Sequence, residues 1–237
     1  MSNSFFRFKQ FTIEQSECAM KVTTDACILG AWTPVLPDVK RILDIGAGTG
    51  LLSLMLAQRN DQVFIDSVEL DHNAALQAQA NFSASPWSSR LSLIEADIRG
   101  YNADCKYDMI ITNPPFFNNS LLSDKADKNL ARHTISLAFT DLLTAIGNDL
   151  KDDGYAAILL PYAGYLVLQS LLKDSIWQEK ERLEIRHTAQ SKINRVVVII
   201  SKIPAVNIIE HALVIKATDN AYTPEFIELL QPFYLYL

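Results

Sequence analysis

Three cysteines, eight glycines and the lack of any apolar run near twenty residues define what this 237-residue chain does without. Cys18, Cys27 and Cys105 are odd in number and show no C-x-x-C spacing, which argues against a disulfide framework or a zinc site and for reduced thiols. A membrane-spanning helix needs about 20 consecutive apolar residues, and the sequence supplies no such stretch. The opening Met1-Ser2-Asn3-Ser4-Phe5-Phe6-Arg7 has no apolar region leading to a small-residue cleavage site, so a cytoplasmic protein is expected. Positive charge is also scarce: 21 Lys and Arg face 27 Asp and Glu, for a net charge of -6. That sign is wrong for binding a polyanion by uniform attraction, so any nucleic-acid surface must be local.

What remains is ordinary globular composition, 49% hydrophobic and 20% charged, in a chain long enough for one sizeable domain over residues 1–237. From Arg41 onward, short apolar runs alternate with helical patterns, the mark of repeated βαβ units and a parallel sheet. Strands are expected at Arg41–Ile45, Gln62–Glu69, Leu91–Ala96 and Tyr107–Thr112, with helices over Leu51–Gln58 and Asn73–Phe82. Thr140 is expected to cap a further helix, and Asp153-Gly154 to stop the chain before a strand over Tyr155–Leu160. A helix over Tyr165–Leu172 is followed by strands at Arg182–Arg186, Arg195–Ser201 and Ala212–Lys216. The short gap from Thr188 to Asn194 cannot hold a helical crossover and predicts an antiparallel hairpin. Thr223 as cap with Pro224 at the first position starts a last helix.

Three of the eight glycines fall within five residues, in Asp44-Ile45-Gly46-Ala47-Gly48-Thr49-Gly50, directly after the first strand. Missing side chains there let a ligand lie against the backbone. The spacing is G-x-G-x-G rather than G-x-G-x-x-G, which lowers the case for NAD, and no Gly-Lys-Ser/Thr follows to make a phosphate loop. Glu69, with Leu70 after it, ends the second strand, where a carboxylate can accept hydrogen bonds from ribose hydroxyls. Asp71 nearby reads better as a helix cap. Asp97 closes the third strand, placed to take an adenine amino group while Ile98 covers the ring.

Asn113-Pro114-Pro115-Phe116 lies just beyond the fourth strand, at the end of the sheet where ligands of open α/β folds bind. Two prolines fix φ and remove N–H donors, which orients the Pro114 carbonyl and the Asn113 side chain as acceptors. An amino group conjugated with a ring is a poor nucleophile because its lone pair is delocalised. Two acceptors on its hydrogens favour localising that pair for attack on a methyl donor. Phe116 would stack on the ring. The four histidines form no Ser/His/Asp or metal-ligand cluster, and no metal is expected.

The ordered set Asp44 to Gly50, Glu69, Asp97 and Asn113 to Phe116 resembles the class I amino-methyltransferases. That likeness implies S-adenosyl-L-methionine as cofactor. It also implies a Rossmann-like α/β fold: a seven-stranded, mostly parallel sheet with an antiparallel end and helices on both faces. The head of the chain, Phe8 to Ile13, Met20 to Asp25 and Ile28 to Trp32, looks like the bacterial tRNA1(Val) adenine-37 N6-methyltransferases. Residues 1–40 would then complete the cofactor pocket, with Lys21, Thr24 and Asp25 at the methionine end, and tRNA would be the partner.

Guanine-N2 methyltransferases of ribosomal RNA and glutamine-N5 methyltransferases of release factors resemble the same turn. The latter usually carry a helical domain for which the stretch before Arg41 leaves no room. A module that keeps the cofactor pocket but only recognises RNA is the non-enzymatic alternative. For RNA, the most basic window runs from Lys180 to Lys202, with Lys180, Arg182, Arg186, Lys192 and Arg195 as candidate contacts and Glu181 and Glu184 as its only carboxylates. The competing reading of that window is a solvated strand edge carrying protective charge.

Overall fold

The computed structural model describes residues 4–18, 20–115 and 139–237. Among the described residues ten strands and six α-helices follow one another. Strands β1 (Phe5–Arg7) and β2 (Thr12–Glu14) form a small antiparallel hairpin, and α1 (Thr24–Trp32) leads to β3 (Arg41–Ile45) and α2 (Leu51–Arg59). Next come β4 (Phe64–Glu69), α3 (His72–Ser83), β5 (Leu91–Glu95) and β6 (Tyr107–Thr112). The described part of α4 covers 139–149. It precedes β7 (Leu150–Pro161), α5 (Tyr162–Leu172), β8 (Gln178–Thr188), β9 (Ile193–Ser201), β10 (Ile209–Lys216) and α6 (Pro224–Leu230).

The main sheet has the order β10-β8-β9-β7-β6-β3-β4-β5. Only β9 runs against its neighbours; every other pairing is parallel. The sheet thus has eight strands where seven were expected, because β10 adds in parallel to the outer edge of β8. The expected hairpin is present as β8 and β9, with β9 lying between β8 and β7.

Side chains alternate across a strand, and strands covered on both faces are apolar throughout. Ile42, Ile65, Met109, Ile111, Ala157 and Val197 therefore fall in one core with residues of α1, α2, α3 and α6. Leu43, Ile45, Ile110, Ile158 and Val198 fall in the other with residues of α4 and α5. The two cores make the α/β layers, helices on both faces of a Rossmann-like sheet. Gly30 marks a tight crossing: a Cβ there would stand 2.8 Å from the Met55 sulfur, so α1 and α2 meet almost backbone to side chain.

Two local expectations are corrected. Thr140 does not cap α4 but lies inside it, its carbonyl accepting the Thr144 hydroxyl at 2.8 Å. Asp153-Gly154 does not precede the fifth parallel strand but sits within β7, where the register against β6 shifts between Tyr107 and Met109. Gly154 is needed there because a Cβ would come within 2.8 Å of the Asp108 carbonyl. No helix among the described residues is long and apolar enough to cross a membrane.

Candidate active site

Strand β3 delivers its chain into the glycine turn, and Gly46, Gly48 and Gly50 all take positive φ, at 73°, 56° and 79°. The three glycines serve different ends. Cβ atoms at Gly46 and Gly48 would meet nothing within 4 Å, so the turn presents bare backbone to open space. At Gly50 a Cβ would stand 2.4 Å from the Phe82 ring, so this glycine lets α2 begin against α3.

Asp44 is completely buried behind the turn. Its Oδ2 accepts the Ser53 hydroxyl at 2.7 Å, and Ser53 reaches Ser67 at 2.8 Å, which ties α2 to β3 and β4. Burial pushes the Asp44 carboxyl up to about 7, against the opposing hydrogen bonds from Ser53. Its Oδ1 is buried without a hydrogen-bond partner among the described residues. Glu69, at the end of β4, accepts the Gly48 N–H at 2.8 Å and the Asp71 N–H at 2.9 Å, so this carboxylate braces the turn directly. Each carboxylate oxygen keeps a lone pair for a further donor. Asp71 is the cap of α3, accepting the Ala74 N–H at 2.8 Å.

Asn113 stands at the end of β6, next to the turn because β6 pairs with β3 up to Ile45 and Thr112. The Thr112 hydroxyl donates to the Ile45 carbonyl at 2.8 Å and locks the two strand ends together. The Asn113 Nδ2 faces the Met20 sulfur at 3.8 Å, while its Oδ1 is buried and finds no partner among the described residues. Met20, Lys21 and Ala26 close over Gly46 to Thr49 and Asn113 to make one small cleft. Lys21 is held by the Gln15 carbonyl.

The remaining candidates are distributed around this centre. Asp25 lies at the start of α1, its Oδ2 3.1 Å from the Arg195 guanidinium, and Thr24 precedes it. Asp97 is gripped by Arg99, with Nη2 at 2.5 Å, and that guanidinium holds its carboxyl down at about 2. Ile98 packs against the second core, and Leu70 is exposed. Pro114 is half-buried and Pro115 exposed, while Phe116 lies outside the described residues.

The basic window is divided. Arg182 sits on the α5 face of β8, within 3.5 Å of Glu179, Glu184 and Glu210, and Lys180 donates to the Pro204 carbonyl at 3.1 Å. Arg186 lies 3.5 Å from Glu184, and Lys192 is exposed in the β8–β9 turn. Sequence reasoning missed Met20, Ser53 and Ser67 as parts of the site. Only Met20 had a signal, since it belongs to the head segment that carries the family likeness.

A strand, a left-handed glycine turn and two buried acceptors without a hydrogen-bond partner among the described residues, Asp44 Oδ1 and Asn113 Oδ1, come together in one site at the ends of β3 and β6. The comparisons agree on its class: a family model described as "Methyltransferase small domain" matches residues 32–144. The fold is shared with a protein from Agrobacterium tumefaciens described as a predicted O-methyltransferase (18% identity, TM-score 0.67, covering 88% of this chain and 96% of that one). It is also shared with the glycopeptide N-methyltransferase MtfA complexed with S-adenosyl-L-methionine (12% identity, TM-score 0.56, covering 78% and 96%).

Along its length the chain is 44% identical to the tRNA1(Val) (adenine(37)-N6)-methyltransferase of Dyadobacter fermentans, covering 98% of both chains. It is 45% identical to that of Tolumonas auensis, covering 99% of this chain and 98% of the other. The chain belongs to the tRNA1(Val) (adenine(37)-N6)-methyltransferase family.

Proposed function

We propose that the protein methylates the exocyclic N6 of adenine 37 in a valine tRNA of the cytoplasm, using S-adenosyl-L-methionine. The observation that carries the chemistry is the buried Asn113 Oδ1 beside the glycine turn, without a hydrogen-bond partner among the described residues. A buried acceptor without a donor costs ~1–3 kcal/mol, which an incoming amine hydrogen recovers. The cofactor fits the residues present: the bare backbone at Gly46 and Gly48 admits it, Glu69 keeps acceptor capacity for ribose hydroxyls, and Asp44 and Lys21 border the same turn.

When bound, S-adenosyl-L-methionine supplies an electrophilic methyl group on a sulfonium. Asn113 Oδ1 and the Pro114 carbonyl accept the two amine hydrogens of the base and localise the nitrogen lone pair. As the nitrogen gains positive charge, the same two dipoles stabilise it, and a proton then leaves to solvent. Pro114 and Pro115, with fixed φ, hold these acceptors before the substrate arrives. Met20, Lys21 and Ala26 of the N-terminal segment line the same cleft, which supports a role for residues 1–40 in completing the pocket.

The test is transfer of labelled methyl to unmodified tRNA, ribosomal RNA and release factor, followed by mass analysis of the digests. N6-methyladenosine in tRNA alone supports the reading, whereas N2-methylguanosine or methylglutamine overturns the substrate. Asn113→Ala should lower turnover by roughly 10²–10³-fold, as expected for loss of a preorganised dipole, with cofactor binding retained. Unchanged turnover would remove Asn113 from the chemistry.

A further inference from the structure

Resting on the tRNA reading above, we infer that the RNA backbone docks along the half of the sheet's upper rim that runs from β7 outward to β10. The half that carries the cofactor turn ends in carboxylates, Glu69 and Asp71 after β4 and Glu95 and Asp97 around the end of β5. Among the described residues they are met by Arg99 on Asp97 at 2.5 Å and His72 on Glu95 at 2.9 Å. A phosphate chain is repelled from that side.

The other half arises because β9 is antiparallel, which returns the β8–β9 turn to the same end of the sheet as Asn113. In register, Arg195 stands beside Pro161, Arg186 beside Ile193 and Lys216 beside Thr188. Arg186, His187, Lys192, Arg195 and Lys216 therefore gather at one rim. Two carboxylates of the rim are paired with its own arginines, Glu184 at 3.5 Å from both Arg182 and Arg186 and Asp25 at 3.1 Å from Arg195, and Asp219 accepts the Ala221 N–H at 3.0 Å, which leaves Lys192 and Lys216 without a carboxylate partner among the described residues.

Four strand spacings separate β6 from β10, about 19 Å at the usual ~4.8 Å each, a span of several nucleotides flanking a base held at Asn113. Tyr222 offers no stacking platform there, since it is stacked on Phe226 with ring centroids 4.6 Å apart and carries Lys216 Nζ at 3.5 Å. The rim thus supplies phosphate contacts, which position without reading sequence, and leaves discrimination of adenine to the cleft. Lys180 and Arg182 fall outside it by position: Lys180 is near the opposite end of β8, and Arg182 lies mid-strand, ringed by Glu179, Glu184 and Glu210.

Two triple variants with the same change in net charge test the surface. Arg186→Gln/Lys192→Gln/Lys216→Gln alters the rim. Lys40→Gln/Lys106→Gln/Lys173→Gln alters exposed lysines at the far end. Both are compared with the full chain for binding of unmodified tRNA across a salt series, with S-adenosyl-L-methionine affinity as a check on folding. The rim variant should flatten the log K against log salt slope by about 2–3 and weaken binding roughly ten- to a hundredfold near physiological salt. The far-end variant should keep the wild-type slope. Equal flattening in both, or in neither, overturns the proposal. If wild-type protein transfers no methyl to tRNA, the functional reading itself fails, and this surface with it.

Discussion

Replacing Asp44 by asparagine should remove a pH dependence of stability that a buried carboxyl imposes. The side chain is completely buried, and burial pushes its carboxyl up to about 7 from the ordinary value of 3.8. Between those values the folded protein holds a proton that the unfolded chain gives up. The folded state then binds more protons, so stability falls as pH rises through the window and the loss is complete above pH 7. At ~1.4 kcal/mol for each pH unit, the loss comes to about 4 kcal/mol. Asparagine offers the same acceptor to Ser53 and cannot ionise. Urea unfolding without added cofactor, at constant ionic strength, should show wild type and Asp44→Asn alike near pH 4. The variant should then gain steadily to an advantage of up to about 4 kcal/mol at pH 8. A constant difference from pH 4 to 8 would refute the argument, because no other group titrates in one protein and not the other.

The glycine turn makes a paired prediction. Gly50→Ala meets both a φ of 79° and the Phe82 ring at 2.4 Å, so its stability loss in urea should exceed the ~1–2 kcal/mol of a left-handed residue. Gly48→Ala, with open space around it, should cost only that conformational energy yet weaken cofactor binding measured by calorimetry. Arg182→Ala should cost roughly 3–5 kcal/mol in chemical denaturation, since it leaves the buried Glu179 carboxylate without its guanidinium. A loss below 1 kcal/mol would show that Tyr165, whose hydroxyl donates to Glu179 at 3.1 Å, suffices.

The parts of the molecule legible in the sequence were those with local punctuation. Strands β3 and β6 were located to the residue because each is a short buried run followed by a turn residue. Thr223 and Asp71 were recognisable as caps, and both accept the expected N–H. Helix α1 left no such trace: Ala26 to Ala31 is buried all round, so the sequence has no amphipathic period there. Strands β1 and β2 are three residues each, too short for a pattern.

At the site, the glycine turn and Asn113 were visible because their backbone demands are written in Gly and Pro. The grip of Arg99 on Asp97 and the contact of Met20 with Asn113 were not, since they depend on side-chain direction. The basic window is divided in space for a related reason. The two faces of a sheet take different side chains: Arg182, opposite Val198, faces α5, whereas Arg195, opposite Ile185, turns to α1 and Asp25.

The pairing of Phe8 with Tyr234, reinforced by the Lys9 N–H on the Phe233 carbonyl at 2.8 Å, joins residues more than two hundred positions apart. On the ribosome, the head segment waits without this partner until synthesis has passed residue 234. Lys21 and Met20, which close the cleft, belong to that same segment. The contact that ties the head segment to the tail can therefore form only when nearly the whole chain has been made, after the central strands.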